Sequence, residues 1–73
     1  MNETERMKND MVKELALLLI MKDSSLSMKE ALTMVFNSET YQKVLEDRTR
    51  LYYQSPGYVF SFLENELRTG KMG

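Results

Sequence analysis

The chain contains no cysteine and no histidine. Without thiols there is no disulfide staple and no thiolate metal site, and a reducing, cytoplasmic setting is the expectation. Without imidazole the commonest metal ligand is gone, together with the side chain best matched to proton transfer near neutral pH. An excess of one charge is missing too. Ten basic residues stand against eleven acidic ones, interspersed along the chain, for a net charge of −1. Phosphate neutralisation supplies most of a nucleic-acid binder's affinity, so this balance argues against nucleic acid as the partner. The longest wholly apolar run, Leu15 to Met21, is far shorter than the roughly 20 residues that span a bilayer. The polar start, MNETERMKND, lacks the basic opening of a secretory signal, so no membrane association is expected.

At 73 residues the chain is expected to form a single domain. Ordering each residue costs about 1.5 kcal/mol, against about 25 cal/mol for each Å² of apolar area removed from water, so the two nearly cancel at this size. With no staple available, the chain needs a compact helical arrangement or a partner subunit. One proline and three glycines are too few to interrupt the pattern often, and they read as punctuation between helical periods.

The periodicity predicts an all-α fold, a compact bundle of about four short helices over approximately 5–22, 28–37, 39–47 and 56–69. The first helix starts at Thr4 or Asn9, with Met7, Met11, Leu15, Leu18 and Lys22 on one stripe and Val12, Ala16 and Leu19 beside it. Its end is apolar all round, as in a central helix or one contacting a second chain. Ser27-Met28-Lys29-Glu30 is a capping box flanked by Leu26 and Ala31, and it opens a helix that turns Met28, Ala31, Leu32, Val35 and Phe36 inward. Ser38 or Asn37 caps a third helix with Tyr41, Val44 and Leu45 on its apolar face. That helix ends within Asp47 to Arg50, and Leu51-Tyr52-Tyr53 connects onward. Ser55-Pro56 opens a fourth helix, where serine suits the cap and proline the first helical position. Val59, Phe62, Leu63, Glu66 and Leu67 follow the period to Arg68, and Gly70 stops it.

Catalytic patterns are weak. Glu64 and Glu66 are two apart and point to different sides of a helix. Asp10 and Glu14 share a face, but read as a solvated acidic surface. Asp23, Ser24, Ser25 and Ser27 offer too few oxygens and too little charge for a hard cation. Ser27, Ser38 and Ser55 are each explained by capping, and no base accompanies them. No enzyme activity, metal or cofactor is expected.

A basic and aromatic cluster offers more. Lys43, Arg48 and Arg50 lie close in sequence to Tyr52, Tyr53 and Tyr58, and also to Tyr41. Arg and Tyr together anchor protein partners, stack on bases or hold anions. The alternative is packing, with the tyrosines laid over the core and the arginines paired with Glu46 and Asp47. A helix-turn-helix reading of the second and third helices places Glu39, Glu46 and Asp47 against a lone Lys43 on the would-be recognition helix, where carboxylates would face phosphates. Seven methionines is a high count, and five of them (Met7, Met11, Met21, Met28 and Met34) fall in or beside the first two helices. Methionine fills irregular cores and also serves adaptable binding surfaces. Three short neighbours cannot cover the whole apolar surface of the first helix, so a homodimer or a tight protein partner is expected.

Three segments carry a resemblance: Ser27-x-x-Glu30-Ala31, Asn37-Ser38-x-Thr40-Tyr41, and Leu51-Tyr52-x-x-Ser55-Pro56-x-Tyr58-Val59. Over Ser27 to Gly70 the chain resembles a family of very short bacterial helical proteins common in gut anaerobes. More faintly, it is similar to the small helical accessory proteins of the DUF3791 type. The shared positions are mostly caps and core, so the first resemblance implies a fold. The second implies an accessory or antitoxin-like binding role. The expected function is therefore a non-catalytic protein–protein interaction module, an adaptor or antitoxin-like regulatory partner, with a small dimeric DNA-binding regulator as the alternative. Its surface is expected on the apolar face of the first helix or at Tyr52, Tyr53, Tyr58, Arg48, Arg50 and Lys43.

Overall fold

The computed structural model describes residues 2–70. Among them four α-helices are joined by short connections, with no strand: α1 (Glu3–Lys22), α2 (Met28–Phe36), α3 (Glu39–Leu45) and α4 (Pro56–Thr69). Two 3-10 turns, Asp47–Thr49 and Leu51–Tyr53, bridge α3 to α4. The all-α bundle expected from periodicity is the fold observed.

The caps explain the boundaries. Helix α1 starts earlier than expected because Asn2 caps it, its side-chain oxygen accepting from the Glu5 amide at 2.8 Å. Glu3 and Glu5 in the first turn complement the positive end of the helix dipole. The helix closes where the Asp23 amide donates to the Leu19 carbonyl at 2.9 Å. The Asp23 carboxylate then accepts from the Ser25 hydroxyl at 2.6 Å and the Ser25 amide at 3.1 Å, turning the chain. Those two bonds, the hydroxyl's first, hold its carboxyl below the ordinary aspartate value. The capping box of α2 forms in both directions, Glu30 amide to Ser27 hydroxyl at 3.1 Å and Ser27 amide to Glu30 carboxylate at 2.9 Å. Ser38 then joins two helices: its hydroxyl donates to the Val35 carbonyl at 2.6 Å and accepts from the Tyr41 amide at 3.0 Å. Asn37 is thus the C-cap of α2 and not its last residue.

Helix α3 stops at Leu45, two residues short of the expected 47, because its last carbonyls find partners outside the helix. The Lys8 ammonium donates to the Leu45 carbonyl at 3.0 Å. The Thr49 hydroxyl lies 2.6 Å from the Lys43 carbonyl and 2.9 Å from that of Glu46. Orphan carbonyls satisfied this way let a helix end without a glycine. Arg50 separates the two 3-10 turns in the left-handed region, at φ 53°. Helix α4 keeps its expected limits, with Ser55 capping the Tyr58 amide at 3.2 Å and Gly70 leaving in the left-handed conformation at φ 86°.

One core lies between the four helices. Met11, Val12, Leu15, Ala16 and Leu19 of α1 meet Ala31 and Val35 of α2, Val44 of α3, and Val59, Phe60 and Leu63 of α4. Tyr52 from the second 3-10 turn completes it. Each large aliphatic buried here contributes about 1.5–3 kcal/mol. Thr40 is also fully buried. The expected faces need correction in three helices. In α2 only Ala31 and Val35 are buried, while Met28 and Phe36 remain open to solvent. In α3 Leu45 is exposed and Thr40 takes the inner position. In α4 Phe60 turns inward in place of Phe62, and Leu67 lies at the surface. Short helices present only one or two rows to a four-element core, so the flanking rows of each apolar stripe stay outside.

Candidate functional site

The expected Tyr–Arg surface divides on folding. Tyr52 is buried at 8% exposure, and its ring lies 4.8 Å from that of Tyr53, which is exposed. The Lys8 ammonium sits 5.4 Å from the centre of the Tyr52 ring. Tyr58 is exposed in the first turn of α4 and meets Phe62 edge-to-face at 5.1 Å. Arg48 and Lys43 both turn to Glu46, at 3.3 Å and 3.7 Å. Asp47 pairs instead with Lys8, at 2.8 Å. Accepting from that ammonium, the Asp47 carboxylate holds Lys8 above the ordinary lysine value. Arg50 is exposed and lines a polar hollow with Asn2, Glu5 and Asp47. Of the six residues, Tyr52 belongs to the core, while Lys43 and Arg48 are engaged by a neighbouring carboxylate.

Three of the exposed apolar side chains, Met28, Phe36 and Leu45, gather elsewhere. Met28, Leu32 and Phe36 form an i, i+4, i+8 row along α2, and Tyr41 and Leu45 form a second row on α3. With Val12 beneath them and Lys8, Asn9 and Lys13 of α1 opposite, they enclose an open hollow of about 330 Å³. Phe36 and Tyr41 meet edge-to-face at 5.2 Å and close one end. Met28, Phe36 and Leu45 are each more than a third exposed, at 39%, 48% and 39%. Such a patch is an uncommon use of large apolar side chains on a chain this small. No carboxylate lines the groove, and its charged members are both lysines.

Periodicity alone assigns Met28, Phe36 and Leu45 to the core and gives no role to Lys8 and Lys13. The available signal was in α2. Ala31 and Val35 are its small apolar side chains, spaced by four, and small residues mark the row where two helices approach most closely. The larger row beside them therefore had to lie on the flank.

Glu66, on the expected inward stripe of α4, has a role that the pattern does not assign. One oxygen accepts from the Thr40 amide at 2.9 Å and the Thr40 hydroxyl at 2.8 Å, and the other from the Glu39 amide at 2.7 Å. Glu66 thus satisfies the first two amides of α3 from a different helix, and the N-cap Ser38 satisfies the third. Burial works to raise the pKa of this carboxyl, and the three hydrogen bonds outweigh it, leaving the group below the ordinary glutamate value.

Among the described residues, no group of three or more aspartates, glutamates, cysteines or histidines is placed to share a metal ion. No helix there is long and apolar enough to cross a membrane. Comparison with protein-family models, curated proteins and solved structures returns no match.

Proposed function

We propose that the chain is a non-catalytic protein–protein interaction module, an adaptor or an antitoxin-like regulatory partner, that docks its partner in the groove between α1, α2 and α3. The observation that carries this reading is the convergence of Met28, Phe36 and Leu45, all solvent-exposed, on one apolar hollow. Ordering apolar side chains in water gains nothing for a lone chain, and a partner that covers them recovers the hydrophobic term. Met28, in the groove, suits an adaptable surface.

Self-association is the second reading, favoured by Leu17 and Met21. They lie near the end of α1 at 41% and 80% exposure and do not line the groove. Against a DNA-binding role stands the outer face of α3, where Glu39 is exposed and the half-buried Lys43 is already paired to Glu46.

The test is a tagged pull-down from the native host with nuclease treatment, run in parallel on Phe36→Ser. The reading expects one stoichiometric protein that survives nuclease and is lost with Phe36→Ser. Retention that vanishes with nuclease supports the DNA-binding alternative. A dimer by sedimentation at tens of micromolar, abolished by Leu17→Glu, supports self-association.

A further inference from the structure

We infer that the partner segment taken by this groove is an acidic amphipathic helix of two to three turns. It lays apolar side chains along Met28, Leu32 and Phe36 and directs a carboxylate to Lys13. This rests on the docking reading above and adds the chemistry of the occupant.

Three observations lead to it. First, the row from Met28 to Phe36 advances eight residues along α2, about 12 Å at 1.5 Å per residue. That length matches side chains at i, i+4 and i+7 on a second helix laid beside it. Second, the described residues contain no strand, so no sheet edge is available to hold an extended peptide by its main chain. An incoming segment must satisfy its own backbone, which a helix does. Third, the charges of the groove wall have one sign. Lys8 is already held by Asp47 and the Leu45 carbonyl, at 2.8 Å and 3.0 Å. Lys13 is exposed and makes no ion pair or hydrogen bond within the described residues. With no carboxylate in the lining, a cationic partner would meet repulsion and no compensating pair, while an acidic one would supply the anion that Lys13 lacks.

The experiment uses the full chain and two synthetic peptides of about 16 residues. Both are alanine-rich and capped at each end, with leucines at i, i+4, i+7 and i+11. The first carries glutamates beside the leucine row, and its twin has lysine at each of those positions. Binding is followed by amide chemical shifts of the labelled protein, against wild type, Lys13→Glu and Phe36→Ser. Because Lys13 is exposed and bonded to nothing among the described residues, Lys13→Glu keeps the fold, which circular dichroism verifies.

The expected result is shifts clustered on Met28, Leu32, Phe36 and Leu45 and an affinity about tenfold higher for the acidic peptide than for its twin. The preference reverses in Lys13→Glu, and Phe36→Ser weakens both. Equal binding of the twins would overturn the acidic partner while leaving the groove as a docking face. Absence of shifts from either peptide at millimolar concentration, with the Phe36-dependent capture intact, would overturn the helical occupant alone. Groove shifts that grow with protein concentration, without peptide, would assign the face to a second copy and overturn the inference. Shifts produced by dodecanoate and by neither peptide would assign it to a small amphiphile and overturn the inference as well.

Discussion

Replacing Glu66 by alanine removes three hydrogen bonds at once, and their fates differ. The Glu39 amide is on an exposed residue and can be rehydrated, so its loss costs a few tenths of a kcal/mol. Thr40 is fully buried, and its amide and hydroxyl both point to the missing oxygen. Leaving such donors unsatisfied costs about 1–3 kcal/mol apiece in general, less where a hydroxyl can rotate to another acceptor. Allowing for that rotation and for water entering the vacated volume, Glu66→Ala should lose about 2–3 kcal/mol. For a domain of this size that lowers the melting temperature by about 10–20 °C. Glu66→Gln retains one acceptor oxygen for Thr40 but sets its amide nitrogen against the Glu39 amide, donor to donor, and should lose about 1–1.5 kcal/mol.

The dependence on pH separates this account from simple loss of packing. The Glu66 carboxyl titrates lower in the folded chain than in the unfolded one. Its contribution is therefore complete above the unfolded value, near 4.5, and is lost as pH falls through the folded value. Urea denaturation of wild type and Glu66→Gln at pH 7, 5, 4 and 3 measures this. The gap should be constant from pH 7 to pH 5 and close progressively below about pH 4.5. Asp23 also titrates low, but it is present in both proteins and cancels in the difference. A gap that persists unchanged at pH 3, or a loss in Glu66→Ala below about 0.5 kcal/mol, would refute the carboxylate as the cap of α3.

Other substitutions probe the remaining links. Ser27→Ala should cost about 1 kcal/mol, read as a lower urea midpoint; because the box is reciprocal, Ser27→Ala with Glu30→Ala should cost less than the sum of the two. Arg50→Gly should raise the melting temperature by a few degrees, since it relieves a side chain held at φ 53° and glycine's greater freedom when unfolded offsets only part of that gain. Leu15→Ala empties a position with 0% exposure and should cost about 3–4 kcal/mol, enough to populate the unfolded state measurably at 25 °C. Phe36→Ser, by contrast, should change stability by less than about 1 kcal/mol while removing partner capture; the opposite ranking in thermal melts would show that the groove is a structural seam.

Helix number and most boundaries were legible because caps are local. Ser27 with Glu30, Ser38, and Ser55 with Pro56 each act within three residues, and each forms as expected. What escaped was mostly non-local. The Lys8 ammonium that ends α3 comes from thirty-seven residues away. The Glu66 carboxylate that starts α3 reaches from twenty-six and twenty-seven residues away. Glu66 stood on the predicted inward face of α4 among Val59, Leu63 and Leu67, and a carboxylate in an apolar stripe was the available sign of a buried acceptor. The exception is Asn2, a local cap whose side-chain oxygen accepts from the Glu5 amide and extends α1.

In α2 the apolar stripe overstated burial, and this links the fold to the site. In α2 five residues were expected inside, but only Ala31 and Val35 are buried, both small enough for close helix contact. The larger side chains on the same stripe were displaced to its flank by that close approach, and the shortness of α3 leaves Leu45 beside them. A helix of nine residues could have ended its apolar pattern at the core row and kept its flank polar, as Lys29 and Thr33 do on the outer side. Met28 and Phe36 are more apolar than the isolated fold requires. The surplus of α2 and α3 lies in one groove facing lysines, the distribution a docking face would have. Introducing charge at Phe36 should therefore affect binding first, while Val35, one residue earlier and fully buried, should affect folding first.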